Sequence, residues 1–297
     1  MTAPLRRPLR VQSHARGCLM VLMAGVWLSV GGLIVRHILG AGDWQIVFYR
    51  SMGAAVALLA LLAIRDRGSA VATFRNMGVA GVVAGMGIAV SMVTFILSVN
   101  ATSVANTLFL LAASPFMAAI LGWLLLREHI AGATWLAMAT ALVGVGIMVW
   151  HGVATGAVYG DVMGLLTALG FAVFTVALRF GRLSDMMPAV CLAGLISASV
   201  AAAVVIGSQS GFAIPFGDFV LCVTYGAIIA GALTVFTVGA RTVPAAELTL
   251  LSLTEVLLGP VWVWVVLSET PSSATMLGGA VLFTAIAGQA MFRMTRR

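Results

Sequence analysis

Ten apolar runs of roughly 17 to 25 residues follow one another along this 297-residue chain, and each is long enough to cross a bilayer as a helix. The predicted spans are 17–38, 44–64, 77–98, 101–126, 133–150, 159–180, 188–207, 218–239, 245–267 and 275–292. The connections between them are short, so no soluble domain fits. Composition agrees: 62% of residues are hydrophobic and only 8% are charged, against roughly 25% charged in soluble domains. So few polar side chains cannot clothe a surface in water. The class is an all-α integral membrane protein.

The charge distribution sets an orientation. The net charge is +7, and all sixteen basic residues are Arg. With the N-terminus in the cytoplasm and ten crossings, fourteen of them fall inside: Arg6, Arg7, Arg10, Arg16, Arg65, Arg67, Arg75, Arg127, Arg179, Arg182, Arg241, Arg293, Arg296 and Arg297. Arg36 alone falls outside, and Arg50 lies within the second span. This asymmetry is the positive-inside pattern, which inverting the topology would reverse. The basic balance therefore implies anionic lipid headgroups as the partner, not nucleic acid. Both termini are expected in the cytoplasm.

Cys18, Cys191 and Cys222 all fall within predicted spans, at spacings that suggest neither a disulfide framework nor a metal site. The basic N-terminus followed by an apolar run resembles a signal peptide. The run is long and lacks a small-x-small cleavage site, so it is read as the first span.

An internal repeat organises the chain. A shift of 141 residues lays the fourth and fifth spans on the ninth and tenth: Trp123 meets Trp264, Glu128 meets Glu269 and Thr134 meets Thr275. Arg36 and Arg179 align at a shift of 143. The expected organisation is a basic tail (1–16), a five-helix unit (17–150), a connection (151–158), a second five-helix unit (159–292) and a basic C-terminus (293–297). Five is odd, so the second unit must enter the membrane from the opposite side. Two inverted repeats around a central cavity are a signature of secondary transporters, whose substrate sites lie near the midplane.

Two ionisable residues lie clearly inside spans, where such groups are functional candidates. Glu255, in LLSLTEVLLGPVWVWVV, is about eleven residues into the ninth span, roughly 16 Å deep at helical rise. Facing lipid there it would cost roughly 2.5–3.5 kcal/mol, so it is expected to face the bundle. Low polarity favours its neutral form, which would let a proton come and go as water access changes. A carboxyl holding two helices in register is the alternative. Arg50, in WQIVFYRSMG, carries a charge it cannot shed and a planar fork of donors. It could hold a substrate carboxylate, pair with Glu255, or snorkel to the outer interface.

Pro115 and Pro260 lack an N–H, so each frees a carbonyl four residues back, at Leu111 and Val256. A freed carbonyl in a membrane is tolerated where it lines a wet cavity. Asn106 and Glu247 occupy equivalent repeat positions, as do Ser114 and Glu255, and Ser252 shares the face of Glu255. These polar stripes of the fourth and ninth spans are expected at the central cavity, with Trp27, Tyr49, Trp262 and Trp264 as candidate stacking walls. Aromatic residues near span ends also serve as interface anchors.

Other chemistries lack their motifs. No GxxxxGK[ST] occurs, and a chain without Lys cannot complete one; the Gly-rich runs are helix-packing signals. His14, His37, His129 and His151 lie in tails or at span ends, so no buried Ser–His pair forms, and there is no HExxH. Neither an enzyme nor a cofactor is expected.

The stretches FYRSMGAAVALL, LLAASPFMAAILGWLLLREHI and LLSLTEVLLGPVWVWVVLSET resemble the EamA-type branch of the drug/metabolite transporter superfamily, over nearly the full length. The last has the family's apolar run, Glu255 at its glutamate place and Glu269 at its end. It departs in placing Val256 after that Glu, with the proline at Pro260. The resemblance implies a ten-helix carrier in the bacterial inner membrane. It would move amino acids, related metabolites or toxic small molecules, usually outward, on ion or substrate gradients. An importer of a vitamin or nucleoside-like solute would use the same scaffold, as would a non-transporting sensor. A monomer and a homodimer are both left open.

Overall fold

A computed structural model describes residues 8–66, 74–126, 132–181, 186–243 and 245–295. Arg6, Arg7, Arg67, Arg127, Glu128, His129, Arg182, Arg296 and Arg297, used above, lie outside the described residues. Among the described residues the regular elements are all helices, the arrangement that satisfies backbone groups within lipid. They are α1 (Pro8–Ser29), α2 (Gly31–Arg36), α3 (Asp43–Asp66), α4 (Gly78–Ala101), α5 (Val104–Leu111), α6 (Ser114–Leu126), α7 (Gly132–Thr155), α8 (Val158–Phe180), α9 (Met187–Gly207), α10 (Phe216–Ala240), α11 (Ala245–Leu267) and α12 (Ser273–Thr295).

Among the described residues eight helical stretches are long and apolar enough to cross a membrane: His14–Arg36, Asp43–Arg65, Gly78–Ala101, Val104–Leu125, Thr134–Thr155, Val158–Phe180, Met187–Gly207 and Phe216–Ala240. The expected ninth and tenth spans fall in α11 and α12, whose apolar stretches Leu251–Leu267 and Ser273–Gly288 are shorter.

Two predicted single spans are interrupted. The fourth divides into α5 and α6 at Ala112 and Ala113. Pro115 explains this, because it has no N–H for the Leu111 carbonyl and its ring crowds that turn. The Ser103 hydroxyl caps α5 by accepting from the Asn106 N–H at 3.1 Å. The first span breaks at Val30, between α1 and α2. There Ser29 donates its hydroxyl to the Val26 carbonyl at 2.7 Å and accepts from the Trp262 indole at 2.9 Å. Pro260, by contrast, lies within a continuous α11.

Helices α4 and α8 form the most extensive pair and the centre of the bundle. Around them α3 packs on α9 and α10, α1 on α10 and α11, α4 on α9, α5 and α6 on α8, α5 on α11, and α7 on α12. Small residues permit these crossings. At Gly226 of α10 an added Cβ would lie 2.1 Å from the Arg50 carbonyl of α3, so only hydrogen fits there.

Candidate functional site

The packing of α3, α4, α8, α10 and α11 leaves a small, partly open cavity of about 60 Å³. Arg50 reaches it from α3, Ser91 and Phe95 from α4, Thr167 and Phe171 from α8, Tyr225 from α10 and Glu255 from α11. Leu28, Ile88, Met92, Leu111, Ile229 and Leu233 complete a mostly apolar wall.

Arg50 does not snorkel. It is 1% exposed, the largest of the fully buried side chains. One Nη donates to the Met92 carbonyl of α4, and the guanidinium lies over the Tyr225 ring, 5.3 Å from its centroid. Such a cation–π contact contributes about 2 kcal/mol when desolvated. The Nε–H is buried with no hydrogen-bond partner among the described residues. Glu255 lines the same cavity, yet among the described residues no ion pair joins it to Arg50. Tyr225 lines the cavity together with both. Its hydroxyl abuts Gly31 at the start of α2, where a Cβ would come within 2.4 Å. Close approach to the broken first span therefore requires glycine.

The remaining candidates are distributed elsewhere. Asn106 is buried in a separate polar cluster. Its amide donates to Asp161 Oδ1 at 2.6 Å, and its carbonyl accepts from the Thr275 hydroxyl at 3.4 Å. Ser114 is buried at the start of α6, beside the helix break. Ser252 is partly buried on α11, outside the cavity lining. The side chains of Glu247 and Thr249 lie outside the described residues.

None of the aromatic candidates forms a cavity wall. Tyr49 donates its hydroxyl to the Phe212 carbonyl and stands edge-on to Phe219, which fixes the segment before α10. Trp27 packs over Gly231, and Trp262 is bonded to Ser29. Trp264 is 57% exposed on the outer surface of α11.

Sequence reasoning missed Tyr225, Ser91 and Thr167. Tyr225 lies in VTYGAIIAG, where no charge marks it. The Thr167 hydroxyl donates to the Met163 carbonyl one turn back, which makes it look like an ordinary intrahelical Thr.

Fold and site together define a multi-pass membrane protein with a partly polar, partly open chamber lined by helices from both parts of the chain. A family model described as the EamA-like transporter family matches residues 15–150. That family is a branch of the drug/metabolite transporter superfamily and one of transporters rather than enzymes, and this chain is similar to it over those residues. No curated protein matches the sequence. Eighteen chains of solved structures match it in fold. One, described only as "Crystal structure of protein", aligns with a TM-score of 0.67 at 14% identity, covering 94% of this chain and 98% of its own.

Proposed function

We propose that this protein is a secondary carrier for a small metabolite. It crosses the bacterial inner membrane ten times as two inverted five-helix repeats, with both termini cytoplasmic, and works outward by alternating access. The observation that carries the reading is the chamber itself: an Arg and a Glu from different halves face one partly open cavity without pairing. A merely structural pair would be expected in direct contact, since separated buried charges are costly.

The helix pairings support the repeat. Taking α1/α2, α3, α4, α5/α6 and α7 as the first unit and α8 to α12 as the second, exchange of the units maps the main pairings between them onto one another. The α4–α8 contact becomes α10–α1, α3–α10 becomes α9–α4, and α1–α11 becomes α8 with α5 and α6. The α3–α9, α5–α11 and α7–α12 contacts map onto themselves. Carriers of this kind rock one unit against the other around the central site.

Glu255 is the group that responds to proton or cargo, with Arg50 in the same cavity and Tyr225 of α10 as its charged and titratable neighbours. The test compares wild type and Glu255→Gln in proteoliposomes, using cargo nominated by metabolite analysis of cells that overexpress or lack the protein. Wild-type flux should vary with pH, and the variant should insert normally yet lose flux or its pH dependence. Unchanged, pH-sensitive flux in the variant removes Glu255 from the mechanism. Net accumulation inside the cell on overexpression would make the carrier an importer.

A further inference from the structure

The charge inventory of the cavity points to the chemistry of its cargo, an inference that rests on the carrier reading above. Arg50 is a fixed cation: a guanidinium keeps its proton at any physiological pH. Its burial is nearly total, so water cannot compensate it. Among the described residues the protein offers it the Met92 carbonyl and the ring face and neighbouring hydroxyl of Tyr225, all neutral, and its Nε–H has no partner. A buried charge held by neutral groups alone is strongly disfavoured unless a counter-ion comes within reach.

Among the described residues the only acid lining the cavity is Glu255, which makes no ion pair with Arg50. Ser91 and Thr167 supply neutral polar groups, and the remaining wall is apolar, with Phe95, Phe171 and Leu233 among its members. A cationic cargo would meet Arg50 as a like charge. A neutral cargo would leave the guanidinium uncompensated. An anionic head matches its planar fork of donors, and an apolar body matches the wall.

We propose that the cavity selects a small molecule with one anionic head and an apolar body. The head docks on the Arg50 guanidinium, and the body lies against Phe95, Phe171 and Leu233. The cargo carboxylate then takes the counter-ion place that Glu255 would otherwise occupy. The two acids compete for one cation, and the occupied cavity holds Glu255 in its neutral form.

The test needs no knowledge of the natural cargo. Purified wild-type protein is titrated with 3-phenylpropionate, 3-phenylpropionamide and 3-phenylpropylamine, which share a body and differ in head charge, and its thermal stabilisation is followed. The acid should bind at least about tenfold more tightly than the amide or the amine, as loss of a charge-assisted hydrogen bond implies. Phenylalanine distinguishes a simple anion from a zwitterion as the source of the head; in either case its carboxylate should be required. Arg50→Lys, which keeps the charge and loses the fork, should remove most of the acid's advantage.

Equal or tighter binding of the amide or the amine to wild type overturns the assignment, as does failure of all the probes to bind. The wild-type panel decides the matter even where Arg50→Lys folds poorly. If the amide or amine binds best and also exchanges across proteoliposomes, the carrier reading stands and the anionic head alone is refuted.

Discussion

Arg36 and Glu269 meet in a two-armed ion pair, with Nε to Oε2 at 2.9 Å and an Nη to Oε1 at 3.1 Å. The same Nη donates to the carbonyl of Thr102, just past α4, so one guanidinium ties the end of α2 to the ends of α4 and α11. Each side chain is about one-quarter exposed, which screens the pair only in part. Glu269→Gln should lower unfolding stability in detergent by about 1–2 kcal/mol. The swap Arg36→Glu with Glu269→Arg should recover at least half of the loss. A swap no better than either single change would show that the pair contributes nothing as a pair.

The crossing of α4 and α8 is a close approach beside the cavity. A Cβ on Gly170 would lie 2.5 Å from the Gly87 carbonyl and 2.8 Å from the Ser91 amide, both backbone. Gly170→Ala should therefore cost about 1–3 kcal/mol of stability, because the helices must separate. Gly146 of α7 has nothing within 4 Å of the same position, and Gly146→Ala should be neutral or stabilising by up to about 1 kcal/mol. Thermal unfolding of the two variants side by side checks the contrast.

Asp161 is 1% exposed, with one oxygen on the Asn106 amide and the other against Gly152, without a partner. Asp161→Ala strands the Asn106 amide and should cost about 1–3 kcal/mol. Asp161→Asn keeps a carbonyl acceptor and should cost less. Equal losses in denaturant or thermal melts would mean that the hydrogen bond is not what the carboxyl contributes.

Eight of the expected spans were legible because bilayer thickness sets their length. The predicted 44–64, 77–98 and 218–239 differ from α3, α4 and α10 by only one to three residues at each end. The break at Ala112 and Ala113 was legible as the missing donor of Pro115, but the break at Val30 was not, since it follows from a Ser29 hydroxyl paired with Trp262 far along the chain. Glu255 and Arg50 stood out because charge is costly in lipid. Tyr225 and Ser91 carry no charge, and which neighbours they meet depends on how α4 and α10 are rotated, a three-dimensional fact. Asn106 was recognised as important but misassigned. Its partner Asp161 lies 55 residues away, and equivalence within a repeat does not say which face a helix presents.

The inverted-repeat reading fixes the side of the junction between the halves. A reporter fused after Gly156, between α7 and α8, should read as external, and one fused at the C-terminus as cytoplasmic. The two reporters on one side would contradict the antiparallel pairing of the halves.

The central claim is that the Arg50–Glu255 chamber opens to each side of the membrane in turn. Ser91, 6% exposed and facing that chamber, is the place to look. With Cys18, Cys191 and Cys222 removed, Ser91→Cys is treated with a membrane-impermeant maleimide from outside in whole cells and from inside in inverted vesicles. The account predicts labelling from both directions, slowed by a cargo that fills the cavity. Labelling from one side only, whatever cargo is present, would contradict it.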